Sequence, residues 1–194
     1  MKLSQLQQTA NEIKSKIILN SSNTGTPHLG SCLSCSDILV VLYYSILNID
    51  PKDPRNELRD RFILSKGHGA AALFQVLASK SFFDSSLIDT YGQDGTLLAE
   101  HPPSPEYLPG IEAATGSLGH GLPIGLGMAI AAKIKKDDYH VYTLLGDGEC
   151  NEGSIWEAAI MAVAQQISNL TVIIDSNKWQ ATDRSLDLVG PTKL

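Results

Sequence analysis

GDGECNEG at residues 146–153, with IIDSNKWQ following at 173–180, decides how this chain is read. The apolar run VYTLL before the first segment reads as a strand, SIWEAAIMAVAQQ after it as a helix, and LTVIID as a second strand. Asp147 therefore stands just past one strand and Asn177 just past the next. Strands alternating with helices imply a parallel sheet, and such sheets bind ligands at the carboxyl ends of their strands. A carboxylate and an amide oxygen at adjacent strand tips suit a hard cation such as Mg2+, which leaves several of its oxygen positions to phosphate and water. The main-chain carbonyl of Trp179 is a candidate third ligand. Gly146 and Gly148 let the backbone approach a phosphate closely. The helix expected near Ser154 adds unpaired amides aimed at an anion. Gly-Asp-Gly is also ordinary turn chemistry. Its company here, Glu152, Trp156, Glu157 and Asn177, favours the metal site.

Working outward, the chain alternates apolar segments with turn signals. Residues 3–20 carry apolar side chains at helical spacing, and Asn23, Gly25 and Pro27 break that helix. Ser36 or Asp37 is a candidate cap for a second, very apolar helix over 38–47. RFILS reads as a short buried strand and 67–79 as a helix beside it. The Gly- and Pro-rich stretch 91–112 has no period, and a loop of that length is functional or disordered. An Ala-rich helix then ends near Lys136. With 194 residues, the chain suits one α/β domain, a parallel sheet flanked by helices.

Composition removes several function classes. A formal charge of −6 and the lack of a basic run speak against nucleic acid as a partner. No secretory leader is read at the N-terminus, and no stretch is read as a membrane span. Three cysteines, an odd number, suit a reducing compartment, so the cytoplasm is expected. Cys32 and Cys35 form a CxxC without a second pair, and are read as small buried residues rather than a zinc or redox site. Cys150 is excluded as a ligand because soft sulfur suits a hard ion poorly.

GDGECNEGSIWEA followed by IIDSNKWQ resembles the thiamine diphosphate motif of the transketolase family. PHLGSCLS at 27–34, RFILSKGHGAAAL at 61–73 and PGIEAATGSLGHGLPIGLGMAIAAK at 109–133 resemble further family segments in the same order. The resemblance runs from about residue 10 to residue 190 and implies a thiamine diphosphate-binding fold.

It implies Asp147 and Asn177 as side-chain ligands of Mg2+ (or of Ca2+ or Mn2+ in its place), with Trp179 adding its carbonyl. His68, Gly116, Ser117, Leu118, Gly148 and Asn177 would contact the cofactor. His28, His68 and His101 would line the channel to the sugar, where an imidazole moves protons near neutral pH. Glu152 matches a carboxylate between two active sites and counts with them as catalytic. His120 takes a position where the family often has glutamine, and His140 is expected to do nothing. Pro27 and Glu100 replace common glycines and put the loops before His28 and His101 in question.

The family's pyrimidine-binding and third domains have no counterpart in this sequence. The chain therefore resembles the N-terminal subunit of a split transketolase of the pentose phosphate type. It would move a two-carbon ketol unit between sugar phosphates, in a heterotetramer with a C-terminal subunit carrying the pyrimidine domain. The whole chain, 1–194, is expected to be one diphosphate-binding domain with a shortened C-terminus at GPTKL. Two alternatives stand beside this: a non-catalytic remnant that binds cofactor or partner, and a related thiamine diphosphate enzyme acting on another sugar.

Overall fold

Three short apolar runs pair as parallel strands: β1 (Arg61–Leu64), β2 (Val141–Gly146) and β3 (Leu170–Asp175), the last leaving Val172 and Ile174 exposed. The order is β1-β2-β3, with Leu64 opposite Leu144 and Gly146 opposite Asp175. This computed structural model describes residues 1–181 and 183–189; the GPTKL end on which the expected truncation rested lies outside them.

Period-two alternation sends side chains to two faces of the sheet. Phe62, Leu64 and Leu144 join the larger core, built with α1 (Leu3–Thr24), α2 (Leu29–Val41) and α3 (Ala70–Ser79). Val141 and Leu145 face the other way, toward α4 (Gly121–Lys135) and α5 (Gly153–Ala164). The result is a helix–sheet–helix sandwich, as expected for alternating strands and helices. Beyond β3 the chain forms a small antiparallel pair, β4 (Trp179–Gln180) with β5 (Asp183–Arg184), and a short α6 (Ser185–Val189).

Two expectations need correction and two others gain detail. The second helix starts at Leu29, well before Ser36 or Asp37. Those two residues lie inside it: the Ser36 hydroxyl donates to the Cys32 carbonyl at 2.7 Å, and Asp37 pairs with Lys14. His28, in a left-handed conformation (φ 72°), opens the helix instead. Second, the helix continues into a π-helical turn, Leu42–Ile46, and Leu29–Ile46 has the length and apolarity of a short membrane span. Its Cys35, Leu39, Val40 and Tyr43 are nevertheless core residues. Third, a four-residue 3-10 turn, Gly148–Asn151, separates Asp147 from α5, so the amides beside Asp147 belong to that turn.

The fourth concerns 91–112, read as functional or disordered: it is ordered without regular structure and carries His101. Leu98, Leu108 and Ile111 anchor it in the core, and Glu112 closes it through ion pairs to Arg59 (2.7 Å) and Arg61 (3.3 Å). On the outer side, α5 leaves Trp156, Ile160, Met161 and Val163 exposed.

Candidate active site

The register of β2 and β3 brings Asp147 and the Asp175–Trp179 segment to the same edge of the sheet, where the Asp147 amide donates to the Asp175 carbonyl at 3.3 Å. Asp147 is buried. Its Oδ2 accepts from the Lys178 amide at 3.1 Å and from the Ser185 hydroxyl at 3.0 Å. Its Oδ1 is buried with no hydrogen-bond partner among the described residues. A buried carboxylate oxygen left empty costs about 1–3 kcal/mol or more, which a cation would recover. Lys178 adopts a left-handed conformation (φ 68°), turning the chain so that Asn177 Oδ1 accepts from the Trp179 amide at 2.8 Å. The Trp179 backbone then enters β4.

Asn177 leans on a buried polar network that sequence reasoning did not single out. Its Nδ2 lies 3.3 Å from Ser34 Oγ on α2. Ser34 in turn donates to the Asp175 carboxylate, 2.7 Å from each oxygen. Lys66, 0% exposed, donates to Asp175 Oδ2 at 2.6 Å. A buried cation in SKGHG and an acid closing an apolar strand were the available signals.

A second buried acid, Glu149, also went unmarked although it sits inside GDGECNEG. It accepts from the Gly119 amide (2.9 Å), the Gly146 amide (3.2 Å) and the Ser65 hydroxyl. Gly121 donates to Ser65 Oγ at 3.1 Å, and Thr115 Oγ1 donates to the Leu64 carbonyl at 2.7 Å. One carboxylate thus ties the 115–121 loop to the tips of β1 and β2. The loop sits so close that a Cβ on Gly67 would fall 2.7 Å from the Thr115–Gly116 peptide. A Cβ on Gly116 would meet the His101 ring at 2.9 Å.

The three histidines converge. The His28 ring lies 5.5 Å from that of His68 and 6.0 Å from that of His101, centroid to centroid. The left-handed backbone at His28 is uncommon for a side-chain-bearing residue, and such strain concentrates at ligand sites. Burial, reinforced by the nearby Lys66 cation, pulls the His68 imidazole down to about 4. Pro27 and Glu100 coexist with this cluster.

The remaining candidates are placed as follows. Gly148 lies just past Asp147, and a Cβ there would press on the Gln180 side chain at 2.8 Å. Gly116, Ser117 and Leu118 are on the 115–121 loop, with Ser117 exposed beside a half-buried Leu118. His120 is exposed at the start of α4, its Nδ1 3.0 Å from the Leu118 carbonyl. Glu152 is the N-cap residue of α5 and is exposed in this single chain. His140 has a structural part: it stacks against Tyr142 (4.7 Å) and meets Thr171 Oγ1 at 2.8 Å, at the start of β2. All three cysteines are buried free thiols. Burial pushes Cys35 up to about 12 and Cys150 up to about 11, so neither offers a thiolate.

Residues 7–186 match the family described as transketolase, thiamine diphosphate binding domain. The chain belongs to the transketolase family. Among its transketolase relatives, a subunit of the apulose-4-phosphate transketolase of Phocaeicola vulgatus is 44% identical over 186 residues, covering 96% of this chain and 65% of that one. The 6-deoxy-6-sulfo-D-fructose transketolase subunit SqwG of a Clostridium species is 40% identical over 175 residues, covering 90% and 63%. Human transketolase is 38% identical over 183 residues, 94% of this chain and 29% of its own. The crystal structure of transketolase from Campylobacter jejuni superposes with a TM-score of 0.91 at 30% identity, covering 100% of this chain and 31% of that one. This transketolase-family chain therefore spans about two thirds of the two bacterial subunits and under a third of the human enzyme.

Proposed function

We propose that this chain is the thiamine diphosphate-binding subunit of a split transketolase, acting in the cytoplasm on sugar phosphates. The observation that carries the metal part of this reading is the buried, partnerless Oδ1 of Asp147, whose other oxygen is held by the turn that follows Asn177. The donor set, a carboxylate, an amide oxygen and a nearby main-chain carbonyl, suits Mg2+, with Ca2+ or Mn2+ as substitutes. Asp147, Asn177 and Trp179 would hold the ion. Gly116, Ser117, Leu118 and Gly148 would line the diphosphate, whose approach the tight 115–121 loop and the glycines allow.

Bound thiamine diphosphate supplies the carbanion chemistry of ketol transfer. The protein's part is binding and proton management. His68, kept neutral near pH 7 by its burial, accepts a hydrogen bond from a sugar hydroxyl, while the same burial makes it a weak proton acceptor. His28, whose ring lies beside those of both His68 and His101, would with His101 orient neighbouring hydroxyls. Glu152 would reach an adjoining subunit rather than the sugar.

A partner is part of the proposal. Two apulose-4-phosphate transketolase relatives are named as subunits, which supports it, as does the exposed apolar row Trp156, Ile160, Met161 and Val163. A C-terminal subunit with the pyrimidine domain would complete the site, two copies of each chain forming a heterotetramer. All of 1–194 is then one domain. The test is an assay of two-carbon transfer from a ketose phosphate to an aldose phosphate. We expect none from the purified chain alone and turnover when a pyrimidine-domain subunit is added. Turnover by the chain alone refutes the split. A stable mixture that binds thiamine diphosphate yet transfers nothing refutes the activity.

A further inference from the structure

Ser34 sits on α2, far in sequence from both strand tips, yet it touches the two groups that matter there. Its hydroxyl lies 2.7 Å from both oxygens of Asp175 and 3.3 Å from Nδ2 of Asn177. An ionised carboxylate only accepts, so the Ser34 proton goes to Asp175. The hydroxyl oxygen then has only lone pairs to offer. Of the two ends of the Asn177 amide, only the NH2 end is satisfied by such a neighbour. The carbonyl end must turn the other way, into the turn where the Trp179 amide donates to it at 2.8 Å and the Lys178 amide holds Asp147. One lone pair of Asn177 Oδ1 remains there for a cation.

Asp175 is held in its orientation by Lys66. That ammonium is fully buried and lies 2.6 Å from Asp175 Oδ2. A buried cation and anion each need the other, since removing one strands the other's charge. The polarity of the whole chain of contacts is therefore set at Lys66 and read out at Asn177.

We propose that Lys66, Asp175 and Ser34 are positioning residues that fix which end of the Asn177 amide faces the metal. This rests on the reading of Asp147 and Asn177 as metal ligands. Neighbours that orient a ligand in this way typically change metal affinity about 10- to 100-fold when altered. Ser34 is the residue to vary, because Asp175→Asn would leave the Lys66 charge unpaired in the core and confuse binding with folding.

The experiment titrates Mn2+ into the native chain and its variants in the presence of thiamine diphosphate, reading free Mn2+ by electron paramagnetic resonance, with thermal melts alongside. Ser34→Ala is expected to weaken Mn2+ binding about 10- to 100-fold. Its melting temperature should fall by no more than about 2–4 °C, the cost of one hydrogen bond in a chain of this size. Ser34→Thr, which keeps the hydroxyl, should bind within about threefold of native, well inside the change expected for losing the contact. In an Asn177→Asp background, where no NH2 end exists, Ser34→Ala should add no further loss. The positioning role is overturned if Ser34→Ala binds Mn2+ as tightly as native while Asp147→Asn does not; the metal site itself then stands. It is equally overturned if Ser34→Ala loses the same factor in both Asn177 backgrounds. A native chain that takes up no Mn2+ overturns the metal reading and the relay together.

Discussion

Asp147 and His68 show how two side chains acquire unusual properties from their surroundings. Asp147 has one oxygen satisfied twice and the other buried and empty. Asp147→Asn is expected to weaken Mg2+ binding at least about 10-fold, measured by calorimetry, while leaving the Lys178 contact able to form. His68 stays neutral in the folded chain until about pH 4, whereas an unfolded histidine takes its proton near 6.5. Between those values the unfolded state binds more protons, so stability is intact above about pH 6.5 and declines as pH falls toward 4. The melting temperature of the native chain should therefore drop relative to that of His68→Gln across this window. Parallel profiles for the two proteins would show that burial does not hold His68 neutral. Both residues were legible in the sequence, because GDG and SKGHG flag them by residue type. Lys66, Asp175, Ser34 and Glu149 were not: their roles rest chiefly on contacts between residues 84 to 143 positions apart, which no local spacing encodes.

Elements were legible where periodicity was strong and obscured where side-chain contacts decide. All three central strands and the Ala-rich helix follow from apolar runs bounded by turn residues. The start of α2 was misplaced because Ser36 and Asp37 are good caps in isolation. Here Ser36 is spent on a carbonyl inside the helix, and a strained His28 takes the opening position. The 91–112 stretch carries no period because its order comes from single anchors such as Leu98 and Leu108, which are fully buried. Two substitutions probe this scale. Gly67→Ala forces a Cβ to 2.7 Å from the Thr115–Gly116 peptide, and backbone there cannot swing aside as a side chain could. The expected cost is about 1–3 kcal/mol in urea unfolding, with weakened cofactor binding as the 115–121 loop is pushed outward. Leu39→Ala, at a fully buried position of α2, should cost about 2–5 kcal/mol by the same measurement and leave the ligands of the site in place.

At the scale of the molecule, a three-stranded parallel sheet presents Asp147 and Asn177 at one edge, with the histidine cluster on loops from β1, α2 and the 91–112 stretch. The α/β class and the family follow from motif order along the chain; the assembly does not, because the exposed apolar row on α5 reads in sequence like any core-facing helix. The most direct test of the strand-tip metal site is a calorimetric titration of the chain with thiamine diphosphate, once in Mg2+ and once in EDTA, for the native protein and Asp147→Ala. Saturable binding that requires Mg2+ and is lost in Asp147→Ala is the expected result. Binding of equal strength in EDTA, or by Asp147→Ala in Mg2+, would contradict it.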